Sequence, residues 1–236
     1  VRKLLALWLT LLIGVAQAQT ILPGSGSSGA TASPINMGYI TGRWYVSPIS
    51  YATNTGVALT AGNDYCQPYI VSPPGGTFKA EAVYITGADA TPNYISLAIY
   101  NNGANGFPST IVDSIGTTGI TTASGTPVSG SLANTTDILA AGAYWVCYAT
   151  NSITATVASL SLTYGSGIIG ASTLTQAFGN SSAGVSGVNC TAGASNCGPT
   201  WANGSGSSYT WPPTLAGATW AVNANSKSPA IALQAN

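Results

Sequence analysis

Side chains able to do chemistry are scarce in this chain, and their absence narrows the function before any fold is considered. Histidine is missing from all 236 residues. That removes the commonest general acid–base group and any Ser-His-Asp arrangement. The carboxylates are Asp64, Glu81, Asp89, Asp113 and Asp137. Glycoside hydrolysis needs two carboxyl groups facing each other across a sugar, and these five are scattered. Glu81 falls on a strand pattern beside Lys79, and Asp113 stands near a strand end, where a carboxylate serves as a backbone acceptor. No acidic loop motif points to calcium, and without histidine or a CxxC spacing no zinc site is expected. The chain reads as a non-enzyme with no cofactor.

Two other residue types remain. Cys66, Cys147, Cys190 and Cys197 are even in number. In an exported chain they suit disulfides. Cys66 with Cys147 would join two predicted strands, and Cys190 with Cys197 would close a short loop; Cys66 and Cys147 as reduced, buried apolar residues is the alternative. The aromatic residues are the second type. Trp145 lies on an alternating strand and belongs to a core. Trp201, Tyr209 and Trp211 lie in or beside a polar stretch. Such rings could stack on sugar faces while Asn and Ser take the hydroxyl groups, or could cap the open end of a sandwich. Asn101, Asn102 and Asn105, in the loop Asn101–Gly106, are the other recognition candidates; a plain hairpin connection is their structural alternative.

Only 4 % of the residues are charged, against about 25 % in an ordinary soluble protein. Basic residues are too few to neutralise phosphates, so nucleic acid is not an expected partner. Arg2 and Lys3, the apolar run Leu4–Val15 and Ala16-Gln17-Ala18 form the three parts of a signal peptide over residues 1–18. The apolar run is shorter than the roughly 20 residues a membrane-spanning helix needs. Residues 19–38, rich in Gly, Ser, Ala and Pro, read as a flexible leader.

From residue 39 to 236 the pattern is that of short strands. Tyr65–Val71 is one, ended by the breaker Ser72-Pro73-Pro74-Gly75-Gly76. Phe78–Thr86 follows. Asn93–Tyr100 alternates, with Ile95, Leu97 and Ile99 on one face and Tyr94, Ser96, Ala98 and Tyr100 on the other. Thr110–Ile115 is a strand, Thr117–Ser124 a loop, Pro127–Leu132 a strand. Ala143–Thr150 places Trp145 and Cys147 on one face, and Tyr144, Val146 and Tyr148 on the other. Thr156–Tyr164 is a further strand. Residues 179–210 read as a long loop, and Trp220–Val222 and Pro229–Ala235 as returning strands. No segment outside the signal peptide shows three turns of sustained helical period. Strands at this spacing predict an all-β fold, an antiparallel jelly-roll-like sandwich.

Several of these segments share an order. Gly42-Arg43-Trp44-Tyr45, Tyr65-Cys66-Gln67-Pro68-Tyr69, Leu97-Ala98-Ile99-Tyr100 with Phe107-Pro108, Val112-Asp113-Ser114 and Gly142-Ala143-Tyr144-Trp145-Val146 follow one another. In that order and spacing the chain resembles the β-sandwich domain of tailed-bacteriophage tail-associated proteins of the minor-tail and fibre type. Tyr209–Trp220 and Pro229–Leu233 are similar to the end of that domain. The resemblance implies a jelly-roll-like sandwich carried on virions, acting in assembly or host-surface recognition, with no catalytic residue to transfer. The export signal, the strand cysteines and the stand-alone length depart from the pattern. The expected function is therefore structural or surface-recognising, virion-associated or exported to the periplasm or exterior, with virion or cell-surface components as partners. A secreted carbohydrate-binding module or adhesin taking glycans is the second expectation. A homo-oligomeric subunit of an extracellular filament or coat is the third.

Overall fold

The computed structural model describes residues 38–47, 51–88, 93–120, 125–134, 138–152, 154–161, 185–190, 209–224 and 229–236. The expected signal segment 1–18, the expected leader up to residue 37, Asp89, Asp137, Cys197 and Trp201 lie outside them. The strands are β1 (Trp44–Tyr45), β2 (Tyr51–Ala58), β3 (Asp64–Gly87), β4 (Asn93–Asn102), β5 (Pro108–Ile120), β6 (Thr126–Ser131), β7 (Ile138–Thr150), β8 (Thr156–Ser161), β9 (Val185–Cys190), β10 (Ala221–Ala224) and β11 (Ile231–Ala235). Every pairing between them is antiparallel, and no helix occurs among the described residues. The chain is all-β and antiparallel, as its composition predicts.

β3 runs through two hydrogen-bonded layers. Its first half lies between β9 and β7, in the order β10-β9-β3-β7-β4-β5. Its second half lies between β11 and β6, with β1 outside β11, and with β8 and then β2 alongside its end. The segment Ser72–Gly76 does not end the strand, contrary to expectation. It bends one 24-residue strand from the first layer into the second. The cause is local: Pro73 and Pro74 carry no N–H to continue the ladder, and Gly75 takes a φ of 105° that L side chains avoid. A Cβ on Gly75 would stand 2.5 Å from the Leu139 carbonyl oxygen. The register with β7 shifts between Val71 and Gly75, then resumes. Strands that switch layers at bends or bulges are one way to turn the corner of a sandwich.

Two further loops of the sequence reading are paired backbone. Thr117–Ile120 continues β5 against Ser96–Asn93 of β4, because β-branched threonines suit a pleated surface and β4 needs a partner for its backbone groups. Val185–Cys190, inside the expected long loop, pairs with both β10 and β3.

The inner faces of the two layers share one core. Tyr65, Tyr69, Val71, Ile95, Leu97, Ile99, Val146 and Tyr148 come from the first layer. Val83, Ile85, Val128, Val157, Ile231 and Leu233 come from the second. Gln67 spans between the layers, donating from Nε2 to the Ile231 carbonyl at 3.1 Å. The first layer is also buried on its outer face. There Cys66, Ala98, Tyr100, Trp145, Cys147 and Ala149 pack under Tyr209, Trp211 and Leu215. This explains why β4 and β7 carry apolar residues in both phases of their alternation. Cys66 and Cys147 oppose each other in register and form a disulfide. Closing a separation of 81 residues contributes about 4–5 kcal/mol in the chain-entropy account, as an upper value.

Candidate functional site

The aromatic candidates that the structure describes face inward. Tyr209 and Trp211 are 6 % and 5 % exposed, so of the two roles expected for them, covering the sandwich and stacking on sugars, their burial goes with covering. Their neighbours explain the burial. The outer face of the first layer is too apolar to meet water, and residues 209–215 cover it. Trp211 Nε1 donates to Ser96 Oγ at 2.8 Å, and the Tyr100 hydroxyl donates to the Pro212 carbonyl at 2.6 Å. The Tyr209 hydroxyl donates to the buried Asp64 carboxylate. Backbone bonds from Ile111 to Pro213 and from Leu215 to Ser109 fix the segment along β5. Burial, then the Asp64 charge and the bond to it, hold the Tyr209 phenol far above its ordinary value.

The loop asparagines are exposed but already engaged. Asn101 Nδ2 donates to Thr110 Oγ1 at 2.9 Å. Asn102 Oδ1 accepts from Trp145 Nε1 at 2.8 Å, and Asn105 Oδ1 accepts from the Phe107 N–H at 3.2 Å. These amides hold the β4–β5 hairpin and anchor Trp145. They do not join Tyr209 and Trp211 in an exposed pocket.

The described side-chain carboxyl groups of Asp64, Glu81 and Asp113 are buried. Asp113 accepts the N–H groups of Ser114, Ala133 and Asn134 at 2.7–3.1 Å, the backbone role its position suggested. Glu81 is fully buried, and neither carboxyl oxygen has a hydrogen-bond partner. Burial, reinforced by the charge of Asp113, raises its pKa well above the ordinary carboxylate range. The cavity beside Asp113 measures about 10 Å³, roughly the space of a single water. A sugar ring cannot enter it.

An open concave feature among the described residues lies elsewhere, on the outer face of the second layer. Trp44 and Tyr84 are 42 % and 41 % exposed and form its walls. Ala82, Ala158, Ala230 and Ala232 form the floor, with Val46 and Pro127 at the sides, around a volume of about 250 Å³. The register builds it. Ala82 lies opposite Ala232, Tyr84 opposite Pro127, and Trp44 opposite Gln234. One-carbon side chains keep the floor close to the backbone, while the two rings rise beside it. No charged residue lines it. The sequence carried a signal for this groove that alternation alone did not single out. Ala80, Ala82 and Tyr84 are apolar in the phase that a solvated face fills with polar residues, while Val83 and Ile85 occupy the core phase.

No protein-family model and no curated protein matches the chain.

Proposed function

We propose that this chain is a non-enzymatic structural and surface-recognition protein, exported or carried on a virion, that docks through the groove between Trp44 and Tyr84. The observation that carries the reading is that groove: two half-exposed rings over an alanine floor, with no charged lining residue. Interface cores are depleted of charge and enriched in Trp and Tyr. Two further features support it. The described side chains of Asp64, Glu81 and Asp113 are all buried, with Asp113 accepting backbone N–H groups and Asp64 accepting from Tyr209. The buried Cys66–Cys147 bridge fits an oxidising compartment. The ordered likeness to tail-associated sandwich domains agrees with this role.

Immunogold electron microscopy of the producing culture tests it. Label on particles or on the cell surface is the expected result, reduced at least tenfold for Trp44→Ala. A freely diffusing protein with no particle or surface association would overturn the proposal.

A further inference from the structure

A disulfide is a bond that a thiolate can break and remake, and the surroundings of Cys66–Cys147 decide when. Both cysteines are fully buried. They lie on the outer face of the first layer, in one cluster with Tyr209, Trp211 and Leu215. From the inner side, a reductant would have to cross the core that the two layers share. From the outer side, among the described residues, the barrier is the segment 209–215 and the side chains packed with it.

That segment is held differently from the strands beneath it. Over Tyr144–Ala149, β7, which carries Cys147, is paired with β3 on one side and β4 on the other. The backbone of 209–215 meets the edge of β5, where the Ile111 N–H donates to the Pro213 carbonyl at 3.1 Å and the Leu215 N–H to the Ser109 carbonyl at 2.7 Å. Pro212 and Pro213 bring no N–H of their own. Other ties run through side chains. They are the bonds from Tyr209 to Asp64, from Trp211 to Ser96 and from Tyr100 to Pro212, and the Tyr209 N–H donating to Thr117 Oγ1 at 2.9 Å. Tyr209, Trp211 and Leu215 are its buried residues. A short segment with few buried contacts and few ladder bonds opens at a lower free energy than the sheet it lies on.

We propose that residues 209–215 form a strap that gates thiol access to this bond. The Cys66–Cys147 bridge exchanges with a dithiol from a state in which the strap has lifted while the two layers stay folded and paired. A thiolate then attacks the Sγ of one cysteine, the S–S bond breaks, and the other sulfur leaves as a thiolate. The second thiol of the reductant displaces the mixed disulfide. The dithiol ends oxidised to a disulfide, and its two electrons and two protons end on the two cysteines. Tyr209 is the latch, because its hydroxyl ties the strap to Asp64 on the strand that carries Cys66. The strap and the groove lie on different layers, so the gate stands or falls without the docking role.

Reduction of the full chain by dithiothreitol tests it, with Cys66 and Cys147 alkylated at intervals and identified by peptide mass spectrometry. In native buffer the wild type should react far more slowly than an exposed disulfide. Low urea should change that rate little, because a local opening exposes little surface. Tyr209→Phe keeps the ring and removes the hydroxyl. It should speed reduction about tenfold or more, the scale of a lost hydrogen bond to a charged group. Ile231→Val lies in the core away from the strap. It lowers global stability and should leave the rate unchanged. Hydrogen exchange of the wild type gives a readout without substitution: the Leu215 amide should exchange through the same opening, ahead of the β7 amides. Reduction that climbs with urea as steeply as global unfolding, or that Ile231→Val speeds as much as Tyr209→Phe, would overturn the proposal. So would a native wild type that reacts as fast as an exposed disulfide, or a Leu215 amide that exchanges only with β7.

Discussion

At the scale of single residues, the polar groups of the interior decide how the fold responds to pH and substitution. Glu81 points into the core on the same strand phase as Val83 and Ile85, lies opposite Leu233 and Gly130, and has no partner for either oxygen. The charged group that acts on it is Asp113 on β5, which raises its pKa further. A carboxyl whose folded pKa is raised favours the folded state most while protonated in both states, below the unfolded value of about 4.5. Its contribution declines as pH rises from there toward the folded pKa. Glu81→Gln removes that titration. Thermal unfolding from pH 3 to pH 8 should show the wild type losing stability relative to Glu81→Gln as pH rises; parallel curves would refute the assignment. Trp211 behaves as a core residue. Trp211→Ala should cost about 3–5 kcal/mol, the range for buried aromatic truncations, measured by urea unfolding. Neither position was legible as core in the sequence. Trp211 sits among small polar residues, and Glu81 alternates beside a lysine, so each carries the local signature of a surface.

At the scale of elements, β3 organises the molecule. The strands on either side of Ser72–Gly76 were legible, because each half alternates and is rich in β-formers. Their continuity was not. Proline and glycine mark a change of direction, and whether the chain leaves the sheet depends on a partner supplied from 60 or more residues away in the sequence, here β7. Gly75 is where that turn is most constrained. Gly75→Ala meets both the unfavourable φ and the Leu139 carbonyl, and should lower stability by about 1–3 kcal/mol in denaturant unfolding. An unchanged midpoint would show that the bend tolerates an L side chain. The covering segment 209–215 was hidden from sequence for a related reason. Its hydrogen-bond partners on the first layer, among them Asp64, Ser96, Ser109, Ile111 and Thr117, are 92 or more residues away. Alternating apolar residues in both phases of β4 and β7 did announce that something must cover the outer face. They did not name what.

At the scale of the whole molecule, two layers share a core, a third stretch seals one outer face, and the other outer face carries an open apolar groove. The all-β class and the antiparallel pairing follow from composition and spacing, and the Cys66–Cys147 bridge is one of the alternatives that the cysteines left open. The groove does not, because it arises from five segments, near residues 44, 82, 127, 158 and 230, that only the register brings side by side. Hydroxyl-radical footprinting of the isolated and the assembled protein tests the docking role most directly. The account predicts that oxidation of Trp44 and Tyr84 falls several-fold on assembly, while the exposed Ile138 on the opposite layer keeps its reactivity. Assembly that leaves Trp44 and Tyr84 as reactive as in the isolated protein would contradict it.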